Sequence, residues 1–262
     1  MRRTAHALVA AVLAMGAVAA THDKVQAWVA ETQIPPLAVE TSVEVLDRNG
    51  DLLRAYTVAD GRWRMAVGLD DVDPDYIATL VAYEDKRFYD HGGVDLVAMS
   101  RAVVQAFWNG RVVSGGSTLT MQVARLLEDA STGTLSGKLR QIRVAWALEQ
   151  RLSKDEILTL YLNRAPFGGN IEGVRAASFA WLGKPPFRLT PAEAALLVAL
   201  PQSPERRRPD RYPRAAQAAR DHVLNRTAAA LGLSDGALGA ATTETIPPQR
   251  RDFPALAPHL AD

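Results

Sequence analysis

The chain has 262 residues, of which 48% are hydrophobic and 23% are charged, so it can bury the core of one large domain or two modest lobes. Its net charge of +1, with basic and acidic residues interleaved, gives no reason to expect a nucleic-acid binder. The chain contains no cysteine, which excludes disulfides, a thiol nucleophile and a cysteine-ligated metal site.

The N-terminus resembles an export signal or a membrane anchor. Arg2 and Arg3 precede a run of small apolar residues from Ala7 to Ala20. The run is shorter than the roughly 20 residues that a spanning helix prefers, and the tripeptide at 17–19 resembles a cleavage site. Residues 1–24 are therefore predicted to be either a cleaved signal peptide or an anchor. In both cases the positive-inside bias places the rest of the chain on the outer face of the membrane.

A small β element is predicted within residues 25–72, which also contain a proline-bearing linker. Between Thr41 and Trp63, apolar and polar residues alternate on both sides of the sequence DRNG at 47–50. This turn sequence is typical of a β-hairpin. The hairpin would precede the helical part of the chain.

From Asp73 onward helix signals dominate, and the fold class is predicted to be mainly α. The first of these helices has Asp73 as its cap, Pro74 in its first turn and Glu84 at its C-terminal end. The other main predicted helices cover residues 96–108, 118–128, 138–152, 153–162 and 214–231.

Several helix ends are predicted from their capping residues. Ser153 with Glu156, and Thr190 with Glu193, match the capping box and predict two helix starts. C-terminal caps are expected at Gly183 and Gly232.

The string EDKRFYDHGGVD, from Glu84 to Asp95, places two carboxylates at a helix C-terminal end. The helix dipole disfavours negative charge at this position. Because local sequence rules tend to fail at functional sites, we interpret Glu84 as a residue retained for chemistry.

A second string, GGSTLTMQ at 115–122, is glycine-rich and leads directly into an apolar helix. Such a junction presents backbone N–H groups and the positive end of the helix dipole, which suits a phosphate or pyrophosphate. An ordinary capped turn is the alternative. The basic residues that follow predict a local positive patch, or else a solvated helix face; they are Arg125, Lys138, Arg140 and Arg143.

The two strings resemble the motifs of the peptidoglycan glycosyltransferases of glycosyltransferase family 51. The first motif, Glu-Asp-x-x-Phe-x-x-His, is matched by Glu84, Asp85, Phe88 and His91 and is followed by glycine. The second, Gly-Gly-Ser-Thr-x-Thr-x-Gln, is matched over 115–122. Residues 152–178 and 189–204 resemble later motifs, and the resemblance extends from about Val43 to Arg226. The details TLTMQVARLL, LYLNRAPFGG and RPDRYP resemble one branch of the family.

This resemblance implies a lysozyme-like large helical lobe and a small membrane-associated jaw lobe. The catalytic domain would cover residues 73–232. Apolar residues around Phe107 and Trp108, with Val112 and Val113, are predicted to form either core or the jaw surface that enters the bilayer.

The resemblance also implies the reaction. Glu84 would be the general base that takes a proton from the acceptor sugar, and the donor would transfer its glycan with inversion and release undecaprenyl pyrophosphate. For Asp85 an orienting role through backbone N–H groups is favoured, and for His91 a structural hydrogen bond is the alternative. The residues carried over as substrate-binding are Asp85, His91, Ser117, Thr118, Gln122, Arg125, Lys138, Arg140, Gln141 and Asn163.

The implied partners are lipid II, the growing lipid-linked glycan, the membrane bilayer and a separate transpeptidase, with no nucleic acid. The implied location is the periplasmic face of the bacterial inner membrane. No cofactor is required by the sequence. A divalent cation, Mg²⁺ or Mn²⁺, would be compatible with the pyrophosphate, although no cluster of residues requires one.

The chain departs from the family pattern in two respects. The third motif commonly holds a second glutamate, and here Gln141 occupies that position and Gly137 the position of an arginine. Glutamine cannot exchange a proton near neutral pH, but the branch that the chain resembles also has glutamine there. In addition, no Ser-x-x-Lys, Ser-x-Asn and Lys-Thr-Gly set follows, so residues 233–262 are interpreted as a tail leading towards an absent transpeptidase domain.

Two other functions remain open from the sequence. A lysozyme-like hydrolase or lytic transglycosylase would also place a glutamate in a helical cleft, but it has no evident need for the basic GGST region. An inactive membrane-anchored scaffold that binds lipid II is suggested by Gln141 and by the missing transpeptidase motifs.

Overall fold

The computed structural model describes residues 23–109, 116–128 and 134–256, and most of the regular structure in these ranges is helical. The mainly α fold class is confirmed. The predicted signal peptide or anchor lies outside the described residues except for its last two. The α-helices are α1 (residues 23–30), α2 (Pro74–Glu84), α3 (Leu96–Asn109), α4 (Leu119–Glu128), α5 (Leu135–Glu149), α6 (Lys154–Arg164), α7 (Val174–Ala177), α8 (Pro191–Ala199), α9 (Pro213–Thr227) and α10 (Asp235–Thr243).

The predicted β-hairpin is present. Strands β1 (Glu44–Leu46) and β2 (Leu52–Ala55) pair antiparallel around the expected turn. Asp47 stabilises this turn because its carboxylate accepts backbone N–H groups two and four residues further on, and these bonds lower the pKa of Asp47. A second pair, β3 (Trp63–Arg64) with β4 (Ile171–Glu172), is parallel and was not predicted.

Helix α8 lies at the centre of the molecule, and its residues from Ala194 to Ala199 are almost fully buried. A helix that is apolar on all sides must be enclosed, and α8 packs against α2 and α9. Leu52 of the hairpin and Ala241 of α10 belong to the same hydrophobic core. The packing of α2 on α8 brings the C-terminal end of α2 beside the turn that follows α8.

The helix starts that were predicted from capping residues are confirmed. The Asp73 carboxylate accepts the N–H of Asp75, and both capping boxes are formed, by Ser153 with Glu156 and by Thr190 with Glu193. The C-terminal ends were predicted less accurately. Gly183 caps its helix in the left-handed conformation, as expected, after a π-helical turn at Ser178–Leu182 that was not predicted.

Two predicted helix bounds were wrong by one turn. Helix α5 begins at Leu135 and is capped by Thr134, whose hydroxyl accepts the N–H of Gly137. Helix α9 ends at Thr227, and an irregular turn over 228–231 connects it to Gly232, which has a φ of 65°. Among the helices of the described ranges, none is both long and apolar enough to cross a membrane.

Candidate active site

Glu84 is the last residue of α2 and lies partly exposed in a cleft of about 480 Å³. Each of its carboxylate oxygens accepts one hydrogen bond from a side-chain amide. Gln122 Nε2 of α4 lies 2.8 Å from Oε2, and Gln202 Nε2 lies 2.7 Å from Oε1. A carboxylate oxygen can accept more than one hydrogen bond, so each oxygen keeps capacity to accept a proton from a substrate hydroxyl.

Asp85 is buried and directed away from this chemistry. Its carboxylate accepts the backbone N–H of Leu119 at 3.0 Å and contacts His91 Nε2 at 3.0 Å. It therefore links the end of α2, the following turn and the start of α4. Although Asp85 borders the cleft, its hydrogen bonds support the orienting role that the sequence favoured over direct substrate binding.

The turn that contains His91 is held by contacts with α6 and α5. Phe88 is fully buried, and Lys154 of α6 lies 4.5 Å above its ring while donating to the carbonyl oxygen of His91 at 2.6 Å. Gly93 has a φ of 91°, and a Cβ atom there would lie 2.8 Å from the carbonyl oxygen of Ala145. The loop thus approaches α5 so closely that only glycine fits.

The start of α4 differs from the predicted anion cradle. The N–H of Leu119 is bonded to Asp85, and the N–H of Met121 is bonded to the hydroxyl of Thr118 at 3.1 Å. Thr118 itself is buried and donates its hydroxyl proton to the carbonyl oxygen of Gly93. The prediction that N–H groups are presented to an anion was wrong for these two amides, because the Asp85 carboxylate and the Thr118 hydroxyl already accept them. Gly115 lies outside the described residues.

Ser117 lines the cleft, and Lys138 contacts it from α5. Lys138 Nζ donates to Ser117 Oγ at 2.7 Å and to Gln141 Oε1 at 2.8 Å. Burial and the neighbouring positive charge of Arg125 hold the pKa of Lys138 below its usual range. An anion beside this ammonium group would offset the repulsion from Arg125.

Gln141 is buried between α5 and α4. Its amide Nε2 donates to the carbonyl oxygen of Met121 at 2.6 Å, while its Oε1 accepts from Lys138. A carboxylate could accept from the lysine but could not donate to the carbonyl. The structure therefore gives glutamine a specific use at this position, with no contact that requires a proton-exchanging group.

The other basic residues of the predicted patch point in different directions. Arg125 is exposed on α4. Arg140 is also exposed and pairs with Glu128 at 2.7 Å. Arg143 is directed away from the cleft, because its Nε donates to the carbonyl oxygen of Trp28 and its guanidinium lies over the same tryptophan ring. Of the predicted patch, Lys138 is the residue that contacts the GGST turn.

Asn163, predicted to bind substrate, bridges two backbone segments. Its Oδ1 accepts the N–H of Val67, and its Nδ2 donates to the carbonyl oxygens of Val67 and Thr159. The side chain thus fixes the segment that leads from β3 into α2, and its described bonds are all structural.

Sequence reasoning missed several residues of the cleft. Gln202 lies in a motif-like stretch, but no sequence signal assigned it a role. Four cations border the cleft, and none was among the candidates: Lys86, Arg87, Arg101 and Arg226. Arg87 is paired with Asp95 through two hydrogen bonds. A systematic search for cations near the GGST and EDKRF strings would have found all but Arg226, which comes from α9.

Two buried phenols lie near Glu84 within the core. Burial and, secondarily, the negative charge of Glu84 raise the pKa of Tyr76 and that of Tyr161 well above the usual range for tyrosine. Both hydroxyl groups are therefore neutral.

Within the described ranges, no group of three or more aspartate, glutamate or histidine side chains is arranged to hold a metal ion. The carboxylates nearest the cleft are already used: Asp85 by Leu119 and His91, and Asp95 by Arg87. In the described part of the chain, these carboxylates therefore do not form a metal site.

Comparison with known proteins identifies the family. The family model described as transglycosylase matches residues 49–228, which is more than half of the chain. The chain belongs to the transglycosylase family. Glu84, Gln122, Ser117, Lys138 and Gln202 all lie within the matched range, so the site is part of the transglycosylase domain.

Two curated relatives of this transglycosylase domain are penicillin-binding proteins. Penicillin-binding protein 1C of Escherichia coli K12 is 49% identical over 88% of this chain. Penicillin-binding protein 1A of the same organism is 35% identical over 75% of the chain. The 1C branch is the one indicated by TLTMQVARLL, LYLNRAPFGG and RPDRYP, and this prediction is confirmed. The chain spans only 30% and 23% of the length of these two relatives.

Among solved structures, penicillin-binding protein 1A from Haemophilus influenzae aligns with 86% of this chain and 23% of its own at 20% identity. The TM-score is 0.46.

Proposed function

We propose that this transglycosylase domain is a peptidoglycan glycosyltransferase, which polymerises lipid II into β-1,4-linked glycan and releases undecaprenyl pyrophosphate. The observation that carries the proposal is Glu84, whose two carboxylate oxygens are each held by a neutral amide donor in an open cleft. The proposal also draws on membership of the transglycosylase family and on the similarity to penicillin-binding protein 1C.

In the proposed reaction, Glu84 accepts the proton of the acceptor sugar's 4-hydroxyl group. The hydroxyl oxygen forms the new bond to C1 of the donor, and the C1–oxygen bond to pyrophosphate breaks with inversion. Base catalysis of this type contributes on the order of 10² to 10⁴ in rate. Neutral amides suit the task because they fix the carboxylate without the strong ion pair that an arginine would form.

The departing pyrophosphate requires positive charge. Ser117 offers a hydroxyl group at the cleft, and Lys138, which is bonded to it, offers an ammonium group, with Arg125 nearby. The cleft cations Arg101 and Arg226 add to this field. Hydrogen-bond donors that already lie where negative charge develops lower the activation barrier, because they do not have to reorganise during the reaction. We assign this role first to Lys138, and a divalent cation on the pyrophosphate remains a prediction.

A location at the outer face of the inner membrane is part of the proposal. Helix α3 exposes the large apolar residues Leu96, Val97, Val104 and Trp108, whose exposed fractions are 64%, 57%, 54% and 79%. An apolar helix face of this kind suits the interfacial region of a bilayer, where the lipid tail of the substrate is located. Val112 and Val113 lie outside the described residues.

The test is an in vitro polymerisation assay with lipid II in detergent or liposomes. The wild-type protein is expected to form glycan polymer, and Glu84→Gln is expected to form none while still binding lipid II. Glu31→Gln, which changes an exposed glutamate outside the cleft, is the matched control and should retain activity.

The same proteins should be incubated with purified sacculi. Release of soluble fragments without polymer from lipid II would contradict the proposal and support a lytic enzyme. Binding of lipid II by the wild type without turnover in either assay would support a scaffold instead.

A further inference from the structure

The Glu84 carboxylate accepts a hydrogen bond from the turn that follows α8, and the role of the residues in this turn can be inferred from that contact. We propose that Gln202 is a positioning residue for Glu84 and that Arg207 sets the orientation of its amide. The inference rests on the proposed function, since it concerns how the same base is aimed at the acceptor hydroxyl.

The orientation of the Gln202 amide is determined by its second partner. Arg207 Nη1 lies 3.0 Å from Gln202 Oε1. A guanidinium group has donors only, so it must face the amide oxygen. The amide nitrogen is then directed to the other side, where it donates to Glu84 Oε1 at 2.7 Å. Reversing the amide would place a donor against Arg207 and an acceptor against a carboxylate.

The hydrogen-bond relay from Arg207 through Gln202 to Glu84 is anchored at the end of the buried helix α8. Arg207 Nη1 also donates to the carbonyl oxygen of Ala199 at 2.7 Å, at the C-terminal end of the buried helix α8. Pro201 is buried, and the turn is closed by the N–H of Ser203 on the carbonyl oxygen of Leu200. Gln202 is therefore presented from a fixed backbone, even though its side chain is exposed.

The consequence for Glu84 is restricted rotation. Its carboxylate is held from α4 by Gln122 and from the α8 turn by Gln202, one donor for each oxygen. The terminal torsion of a glutamate side chain is otherwise broad and roughly two-fold. If one donor is removed, the Glu84 carboxylate can rotate. Its lone pairs then adopt orientations that are not directed at the acceptor hydroxyl. A base that is displaced by a small distance loses rate rather than substrate affinity.

Three variants test the relay in the full chain with lipid II. Gln202→Ala is expected to lower kcat about 10-fold or more while KM changes less than about two-fold, because a hydrogen bond to a charged group is lost. Arg207→Gln removes the donor that orients the amide and should give a smaller loss in kcat. Arg207→Lys keeps a donor-only group at the same place and should restore most of the rate.

The decisive measurement is whether the effects of the Arg207 and Gln202 substitutions on kcat are additive. Because Arg207 acts on Glu84 through Gln202, Arg207→Gln should have no further effect on kcat in a Gln202→Ala background. The matched controls are Arg206→Gln, at the exposed neighbour of Arg207, and Gln217→Ala, at an exposed glutamine of α9. Urea unfolding midpoints equal to that of the wild type verify that each variant is folded.

The outcomes separate the two proposals. If the wild type polymerises lipid II and Gln202→Ala has an unchanged kcat, the positioning role is wrong while the proposed function stands. Additive losses, or an Arg207→Lys variant as slow as Arg207→Gln, would also overturn it. A wild type that forms no polymer overturns the proposed function and this inference with it.

Discussion

At the C-terminal end of α2, two consecutive carboxylates lie in different environments, one at the cleft and one in the interior. Glu84 faces the cleft, and both of its oxygens accept side-chain amides from Gln122 and Gln202. Asp85, the next residue, faces the interior and accepts a backbone N–H from Leu119. The first carboxylate remains accessible to a substrate, whereas the second is used by the protein itself.

The reason for this difference is the end of the helix. Asp85 is the C-terminal cap and has a φ of −157° and a ψ of 76°, so the chain leaves the helix between the two residues. On a continuing helix, adjacent side chains would point about 100° apart along one surface. Here the turn sends Asp85 under the loop and towards α4. Two consecutive acids are thus divided into one group that faces the cleft and one that supports the structure.

The largest expected effect is the loss of activity in Glu84→Gln. Removal of the base should lower kcat by about 10² to 10⁴. The partly exposed position implies little change in the free energy of unfolding. Kinetics with lipid II and urea unfolding of the same preparation measure both quantities. A loss of stability as large as the loss of activity would contradict the division between the two carboxylates.

Asp85→Ala should mainly lower the free energy of unfolding, whereas Glu84→Gln mainly lowers activity. It leaves the N–H of Leu119 and the ring nitrogen of His91 without their buried acceptor, which costs about 3 kcal/mol of unfolding free energy. Any loss of activity should follow from the displaced α4 start. Equilibrium urea unfolding measures the change, with Asp90→Ala, at an exposed aspartate in the same loop, as the control. A stable but inactive Asp85→Ala would assign Asp85 to the chemistry.

Lys138→Met tests the cation that contacts Ser117 at the cleft. Loss of the ammonium group should lower kcat/KM by about 10²-fold, since a donor to the leaving pyrophosphate is removed. The effect should be small on stability because the lysine already carries a desolvation penalty. Lys184→Met, at a lysine that pairs with Glu193 outside the cleft, should retain activity. Equal activity of the two variants would remove Lys138 from the proposed site.

Gln141→Glu should have the smallest effect. A carboxylate would place an acceptor against the carbonyl oxygen of Met121, which costs about 1 kcal/mol of stability. Activity should be retained or modestly altered, because the contact to Lys138 survives. Unfolding and polymerisation assays measure the two, with Gln217→Glu at an exposed position as the control. Activity that appears only in the variant would show that the natural chain is disabled.

Local sequence signals predicted the local structure well. Asp73, Ser153 and Thr190 were identified as helix caps because capping depends on a side chain and the N–H groups two or three residues away. The DRNG hairpin was found for the same reason. The pair of β3 with β4 was missed, since its strands are two residues long and separated by more than 100 residues.

The candidate site was predicted only in part. Glu84 and Gln122 were identified from their motifs, and the structure joins them directly. Asn163 and Thr118 were placed in the binding site, whereas their described bonds go to backbone groups. A motif indicates that a residue is needed, but it does not distinguish contact with substrate from support of a turn.

By itself, the sequence determined the capped helix starts, the hairpin and the family resemblance, because each depends on short-range pattern or on the motif itself. The tertiary structure alone decided which polar groups meet. The pairing of Gln202 with Glu84 spans 118 residues, and it exists only because α8 packs against α2 in the core. Similarly, the buried Asp85 carboxylate occupies the α4 start, where the sequence suggested room for an external anion. Long-range contacts of this kind follow from packing, which no local pattern encodes.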